Sequence, residues 1–404
     1  MLVDAFVGRQ PIFDRDWSLY AYEVLYRSGS DNRAQFTNAS AATSQVLVGT
    51  FIDIDIEKIL GPNTGFVNMS REFLVDRFAL AFPPDRMVVE VLEDVELDDE
   101  VLAVLTELSE GGYRIALDDF VFADHQEALL PLVDIVKVDI AAIGIDAAPS
   151  AFERLSKWNV ELLAEKVETY DEFWVLHRLG FDYFQGYFLA KPEVIKGRKV
   201  SGQKASTMQL LSQLNDENAS FDDLADSISR DVSLSYRLLK LLNSSFYGLP
   251  KEVDSVHQGL VLLGLDQITR WVMLIALASI GDKPPELMKT GLVRARMAEL
   301  LGQAAVGVDQ RRSFTVGLFS VLDALLDKPM REVLEKVPLN EEATSALLSR
   351  EGDLGRILKT VEDYERGDWT SVENQEFAPE AVSRAYLDAI EWADSTASQL
   401  RSGR

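Results

Sequence analysis

The first half of the chain alternates short apolar runs with helical segments. The runs are rich in β-branched and aromatic residues, whereas the segment 99–112 repeats apolar residues every three or four positions and stops at Gly111 and Gly112. Near-continuous apolar strands that alternate with helices are typical of a parallel sheet covered on both faces. The eight predicted strands are AFVGR, LYAYEVLY, GFVNMS, MVVEVLE, YRIALDD, DIVKVDI, VELLAEKV and FDYFQGYF.

Eight strands in so short a stretch predict a closed, TIM-like (β/α) barrel, an α/β fold, rather than an open doubly wound sheet. The turn-like DRDWS joins the first two runs, which are therefore predicted to pair as an antiparallel hairpin. From about residue 203 the pattern becomes helical throughout, and the stretch 191–203 is typical of a linker. We predict a barrel over residues 1–200 and an all-helical (all-α) domain over residues 201–404.

Polar residues stand near the carboxyl ends of seven of the predicted strands, where (β/α) barrels collect their active sites. A polar residue inside an apolar strand is costly unless it is paired or binds a metal. One such residue is explained by a structural hydrogen bond, but a repeated pattern of carboxylates is not explained by packing. The residues are Glu23, Asn68, Glu90, Asp118, Asp119, Lys137, Glu165 and Gln185.

Carboxylate and amide oxygens are the ligands that hard divalent cations such as Mg²⁺ or Mn²⁺ prefer. The adjacent Asp118 and Asp119 can divide between two metals, an arrangement used for in-line attack on a phosphodiester. Lys137 would orient water or neutralise developing charge. The pattern therefore predicts a metal site that handles phosphate.

Composition narrows the classes of function. The 404 residues include no cysteine, which excludes disulfides and thiolate chemistry. The net charge of −26 repels nucleic-acid phosphates, and the basic KGRK at 196–199 is more typical of a linker, so we expect no nucleic-acid binding. The start lacks the pattern of a signal peptide, and the longest apolar run, at 271–280, is too short for a bilayer. We expect a cytoplasmic protein with no membrane partner.

The same polar residues lie in motifs that resemble the EAL domain, the cyclic-di-GMP phosphodiesterase family named for a Glu-Ala-Leu motif. Here that motif is Glu23-Val24-Leu25, and the resemblance covers residues 5–192. The other motifs follow in order as FVNMS, EVLE, LDDF, VKVD, AEKVE and FQGYFLAKP. The resemblance implies cyclic-di-GMP as ligand and Mg²⁺ or Mn²⁺ as cofactor.

Roles for individual residues also follow from the resemblance. It implies a metal site made of Glu23, Asn68, Glu90 and Asp118, with Asp119 for a second metal. The implied catalytic set is Glu23, Lys137, Glu165 and Gln185. Arg27 would contact a phosphate of the dinucleotide, which suits a charged donor.

Two departures from the family pattern argue against efficient turnover. The family continues its aspartate pair as DDFGTGYSSL, whereas this chain has DDFVFADHQEALL, with Val121 and Phe122 in the loop that supports the second metal. The family's AEGVE is AEKVE here, which places Lys166 beside Glu165, where an ammonium can compete for carboxylates. Loss of preorganisation costs orders of magnitude in rate even where ligands remain.

The second half resembles the HDOD domain, a helical relative of the HD phosphohydrolases that generally lacks their metal ligands. The matching stretches are DLADSISRDVSLSYRLL, LLNSSFYGLP and SVHQGLVLLGL. Of the three histidines in the chain this half holds His257 alone, whereas an HD-type site needs several. The resemblance implies binding of other signalling proteins rather than catalysis.

Three functions stay open from the sequence. The leading hypothesis is a bacterial signal-transduction protein whose degenerate barrel binds nucleotide or partners. The alternatives are an active Mg²⁺-dependent phosphodiesterase that produces pGpG and a scaffold that ignores nucleotide. Relatives of the EAL family often dimerise through the barrel, so a homodimer is open as well.

Overall fold

The computed structural model describes most of the chain, which folds into two compact units. The first unit joins Met1–Lys191 with Glu362–Leu387, and the second joins Pro192–Val361 with Asp388–Arg404. The predicted domain boundary at residue 200 stays a prediction, since its surroundings lie outside the described residues. The described residues are 5–28, 59–93, 95–120, 124–191, 202–214, 224–225, 228–229, 231–243, 253–280, 283–337 and 339–402.

Eight strands close into a barrel in the order in which they follow one another along the chain, which confirms the predicted fold. The first two strands pair antiparallel, as predicted, and the first is also antiparallel to the eighth, whereas the remaining neighbours are parallel. The strands are β1 Ala5–Asp14, β2 Leu19–Ser28, β3 Thr64–Met69, β4 Met87–Val91, β5 Arg114–Leu117, β6 Ile135–Asp139, β7 Glu161–Glu165 and β8 Tyr183–Gln185.

Local sequence signals set the ends of the barrel helices. Asp98 caps the helix Asp99–Glu110 by accepting a hydrogen bond from the Val101 backbone N–H, and Gly112 follows its end with a φ of 83°. The described helices here are α1 Arg71–Val75, α2 Asp99–Glu110, α3 Asp124–Glu127, α4 Ile140–Ile143, α5 Ala148–Leu155 and α6 Tyr170–Leu179, with 3-10 turns at Phe78–Ala81, Pro84–Arg86, Ile145–Ala147 and Tyr187–Ala190.

A layer of apolar side chains fills the interior of the barrel, and each strand contributes one residue to it. All eight residues are buried and form a cluster of their own. This layer closes the barrel beneath the carboxyl ends of the parallel strands. Its members are Ile12, Ala21, Phe66, Val88, Ala116, Ile135, Leu163 and Tyr183.

The described residues of the second unit are helical, which confirms the predicted all-α region. Gly317 allows close packing of two of its helices, because a Cβ there would lie 2.4 Å from the backbone oxygen of Arg294. No helix among the described residues is long and apolar enough to cross a membrane. The helices after the barrel strands are α7 Gly202–Leu214, α8 Val232–Leu242, α9 Val256–Leu263, α10 Leu265–Ala278, α11 Pro285–Ala304, α12 Gln310–Phe319, α13 Leu322–Leu326, α14 Met330–Leu334, α15 Glu341–Ser349, α16 Gly352–Glu365, α17 Trp369–Glu373 and α18 Pro379–Ser402.

Candidate active site

A ring of polar side chains lies directly above the apolar layer, at the carboxyl ends of the parallel strands. Each member stands two residues beyond the apolar residue of its own strand, so both point into the barrel. The members from β2 to β8 are Glu23, Asn68, Glu90, Asp118, Lys137, Glu165 and Gln185, with Asp118 just past the end of β5.

Gln10 completes the ring from β1, and sequence reasoning missed it. Because β1 runs antiparallel to β2 and β8, its inward position at this level comes two residues before Ile12 rather than after it. Gln10 stands opposite Glu23 in the register and accepts a hydrogen bond from Nε2 of Gln185 at 3.1 Å. The predicted hairpin, combined with the period of two, was the signal that could have found it.

Lys137 is the centre of the ring. Its fully buried ammonium lies 2.9 Å from Oδ1 of Asp118 and 2.7 Å from Oε1 of Glu165. It also forms a close ion pair with Glu90, and Oε1 of Glu23 is 3.6 Å away. One cation therefore serves four carboxylates that come from four different strands.

The charges of this cluster do not balance. Burial raises the pKa of Glu90 well above its usual range, and Lys137 offsets this only in part. Burial likewise raises the pKa of Glu165 to about 8, with Lys137 again opposing and Asp118 and Glu23 adding to the rise. Burial lowers the pKa of Lys137, but the four carboxylates raise it by more than burial lowers it. The pKa of Lys137 is therefore raised overall. The carboxylates outnumber the one ammonium, so the cluster takes up protons unless additional cations stabilise its ionised, negatively charged form.

Three buried acceptor oxygens of the ring have no hydrogen-bond donor among the described residues: Oδ1 of Asn68, Oε2 of Glu90 and Oε1 of Gln185. An unsatisfied buried acceptor costs about 1–3 kcal/mol, so this pattern is unfavourable unless another group binds there. Oxygens of Glu23, Glu90 and Glu165 also lie within 4.8 Å of one another. Free acceptors, excess negative charge and close carboxylates together fit a hard divalent cation.

A second carboxylate cluster lies beside the first and shares Asp118 with it. Oxygens of Glu93, Asp118 and Asp119 lie within 4.8 Å of one another. Asp119 has a φ of 40°, and its pKa is raised by burial and then by the neighbouring Asp118. Glu93 was not among the predicted ligands, and the structure places its carboxylate with the aspartate pair.

The altered loop begins immediately after these aspartates. Gln126, which is buried, donates to the backbone oxygen of Asp119 at 3.4 Å. Val121 and Phe122, where the sequence departs from the family's loop, lie outside the described residues. The consequence of the loop for a second metal therefore stays a prediction.

Lys166 forms its ion pair with Asp139, at the end of β6, rather than with Glu165. Its side chain is 58% exposed, and its backbone has a φ of 53°, a left-handed conformation that favours glycine. Asp139 also accepts the backbone N–H of Ala142 and so caps α4. This contact leaves Glu165 in the Lys137 cluster.

Arg27, expected at a phosphate, pairs through its backbone with Phe6 in the β1–β2 hairpin, and its side chain lies outside those described.

Above the ring, the barrel opens into a cavity of about 620 Å³. Three cationic side chains, Lys166, Lys191 and Arg366, line it together with members of the ring. The site thus combines carboxylates below with cations above, a distribution that suits a metal-bound phosphate ester.

Two family models account for most of the chain. The EAL domain matches residues 9–192, and the HDOD domain matches residues 203–351. With the closed barrel and the helical region that follows, these matches confirm both resemblances. The chain belongs to the family of proteins in which an EAL domain precedes an HDOD domain, and it is related to cyclic-di-GMP phosphodiesterases.

Two relatives match nearly the whole chain. The cyclic di-GMP phosphodiesterase CdgJ of Vibrio cholerae is 35% identical over 397 residues, which cover 96% of this chain and 92% of CdgJ. The protein YuxH of Bacillus subtilis is 32% identical over 398 residues, which cover 96% of this chain and 97% of YuxH.

Solved EAL structures are similar to the barrel region. The PaMucR phosphodiesterase in its c-di-GMP complex is 26% identical, with a TM-score of 0.39, over 47% of this chain and 96% of that one. BlrP1 of Klebsiella pneumoniae, in a complex with calcium and c-di-GMP, is 22% identical, with a TM-score of 0.38, over 46% of this chain and 54% of that one.

Proposed function

We propose that this protein is a divalent-metal-dependent phosphodiesterase that hydrolyses cyclic-di-GMP at the ring of its barrel. The observation that carries the proposal is the buried cluster around Lys137, in which four carboxylates share one ammonium beside acceptor oxygens that have no donor. Such a cluster is costly to fold and is explained by the cations it would bind. The similarity to CdgJ over nearly the full chain supports the same substrate.

The proposed ligands of one cation are Glu23, Asn68, Glu90 and Asp118, and those of a second are Asp118, Asp119 and Glu93. When bound, the cations, Mg²⁺ or Mn²⁺, supply Lewis-acid activation of the phosphodiester and of water. Lys137 keeps the carboxylates converged and limits their repulsion. Gln185 orients Glu23 by donating Nε2 to its Oε2 and also to Gln10, so the first ligand is held in place by its neighbours.

Calorimetry and product analysis on the full chain test this proposal. We expect cyclic-di-GMP to be converted to pGpG with Mg²⁺ or Mn²⁺, and Glu23→Ala to lower the rate by at least about a hundredfold. Glu110→Ala, at an exposed position at the end of α2, is the matched control and should behave as wild type. Absence of both binding and turnover in the wild type with either metal would contradict the proposal and favour a scaffold.

Binding without turnover is the second candidate, because the altered loop and Lys166 remain departures from the family's pattern. Lys166 holds Asp139, close to Asp119, in an ion pair that the family's usual glycine would not form. Tight binding of cyclic-di-GMP in calorimetry, with no pGpG after prolonged incubation with metal, would favour this sensor over the enzyme.

We propose that the helical region binds other signalling proteins. The exposed apolar residues there include Tyr236 at 61%, Val261 at 65% and Leu262 at 53%. Exposed apolar residues of this size are typical of interaction surfaces when they lie together. Homodimerisation and a cytoplasmic location stay predictions, which light scattering and cell fractionation would test.

A further inference from the structure

The segment Glu362–Leu387 belongs to the barrel's compact unit, although neither family match includes it. Aromatic side chains hold it against β1. The Tyr364 hydroxyl donates to the backbone oxygen of Val7 at 3.0 Å, and the Tyr386 hydroxyl accepts the backbone N–H of Arg9 at 3.2 Å. Both tyrosines are buried, so this contact forms part of the folded barrel unit.

This segment brings one cation to the candidate active site. Arg366 follows α16 directly and lines the same cavity as Glu23, Asp118 and Lys137. Its guanidinium lies over the ring of Tyr187, 5.0 Å from the ring centroid. A cation–π contact holds the guanidinium at this position, and its N–H groups that do not bond to Tyr187 can reach a ligand.

Arg366 differs from the two lysines of the cavity in its ion pairs. Lys166 pairs closely with Asp139, and Lys191 pairs with Glu168 at 3.0 Å. The carboxylates of Glu362 and Asp363, on its own segment, both lie 4.0 Å from the Arg366 guanidinium, at the limit of an ion pair. The Arg366 side chain is also 49% exposed. Arg366 is therefore placed to exchange two long ion pairs for a shorter contact with an anion.

A cyclic dinucleotide has two phosphodiester groups, and the metal ligands of the ring can engage one of them. The other needs a donor at the cavity, because the chain's net charge of −26 opposes the approach of any anion. A guanidinium matches two phosphate oxygens with parallel N–H groups, which an ammonium cannot do.

We propose that Arg366 is a substrate-binding residue that contacts the phosphodiester of cyclic-di-GMP that is not cleaved. The site is then built from the EAL-matched barrel together with a segment at the far end of the chain. This inference rests on the proposed binding of cyclic-di-GMP and specifies one of its contacts.

Calorimetry with cyclic-di-GMP and Ca²⁺ on the full chain, together with separate Mn²⁺ titrations, tests the assignment. We expect Arg366→Ala to raise the Kd for the dinucleotide about ten- to a hundredfold while the affinity for Mn²⁺ stays unchanged. The dinucleotide Kd of Arg366→Lys should lie between those of wild type and Arg366→Ala, because lysine keeps the charge and loses the paired donors. Where turnover is measured, the KM should rise with little change in kcat. Arg384→Ala, at an exposed position on the same segment, is the control and should match wild type.

The outcomes separate this inference from the proposed function. If the wild type binds the dinucleotide and Arg366→Ala binds it equally well, the proposed role of Arg366 is overturned. The phosphodiesterase proposal is then unaffected. Weakening of Mn²⁺ and dinucleotide binding together, by both Arg366→Ala and Arg366→Lys, also overturns it, because Arg366 would then act only in packing. Absence of dinucleotide binding by the wild type overturns the proposed function and this inference with it.

Discussion

Each of the two units buries a charged cluster, and the two clusters differ in the ratio of carboxylates to cations. In the barrel, four carboxylates converge on Lys137. In the helical unit, the buried Glu299 is paired with two guanidiniums, those of Arg270 and Arg296, the latter at 2.6 Å. Both oxygens of Glu299 thus have charged donors, whereas the barrel cluster includes acceptors without any.

The origin of the residues differs as well. Arg296 and Glu299 are three positions apart on one helix, so their pairing follows from local geometry. The barrel carboxylates are separated by long stretches of sequence and meet only because the closed sheet brings the strand ends together. Convergent carboxylates that outnumber their cations indicate a site for a ligand, whereas a carboxylate with a charged donor at each oxygen indicates a structural contact.

The largest effect that would sharpen this contrast is expected for Glu90→Gln. Turnover should fall at least about a hundredfold, because a proposed metal ligand is lost. Without metal, the variant should be more stable to urea than wild type by about 1–3 kcal/mol, since Lys137 keeps three carboxylates and the variant lacks a buried carboxyl whose ionised form burial disfavours. Product analysis with Mn²⁺ measures turnover and urea unfolding without metal measures stability, with Glu110→Gln as the control in both. A less stable metal-free variant would show that the cluster is structural.

A loss of stability without a loss of function is expected for Glu299→Gln. The change leaves Arg270 and Arg296 in a largely buried region with a neutral partner, which should cost about 2–4 kcal/mol of unfolding free energy. Mn²⁺ affinity and the dinucleotide Kd should stay within about twofold of wild type. A variant that keeps wild-type stability would contradict the comparison, because the Glu299 cluster would then contribute nothing to the fold.

The smallest effect concerns Asp323, which shows that a raised pKa alone does not mark a site. Burial raises the pKa of this helical-unit carboxyl to about 6. Its folded-state pKa exceeds its unfolded value, so the folded state binds the proton more tightly and loses stability as the pH rises from about 4 to about 6. Asp323→Asn should therefore be about 1–2 kcal/mol more stable than wild type at pH 7.5, and the difference should vanish below about pH 4. Thermal unfolding across this range measures it. A difference that is independent of pH would mean that Asp323 is not the titrating group.

The barrel and most of its polar ring could be predicted from the sequence because a strand alternates with a period of two. Asn68 and Glu90 stand out as polar positions within apolar runs, and both point inward where the pattern places them. Gln10 was missed because the rule that active-site residues stand at carboxyl ends reverses for an antiparallel strand. The ion pair of Lys166 with Asp139 depends on side-chain directions after the strands end, which periodicity does not predict.

Arg366 could not have been found by the same reasoning. It lies outside both regions of family resemblance, and nothing in its neighbourhood, VEDYERGDW, distinguishes it from a solvated helix end. Its place at the cavity comes from long-range packing of Tyr364 and Tyr386 on β1. Contacts of this kind depend on the tertiary structure and leave no local periodic signal.

The apolar layer beneath the ring has an evolutionary consequence. Eight side chains, one from each strand, fill the middle of the barrel without help from the polar residues above them. Mutations that remove a proposed ligand such as Glu90 or Asn68 therefore leave this apolar layer untouched, so we expect selection against them to act through activity. A lineage of such barrels can in this way turn from catalyst to receptor by single substitutions, without passing through an unfolded ancestor.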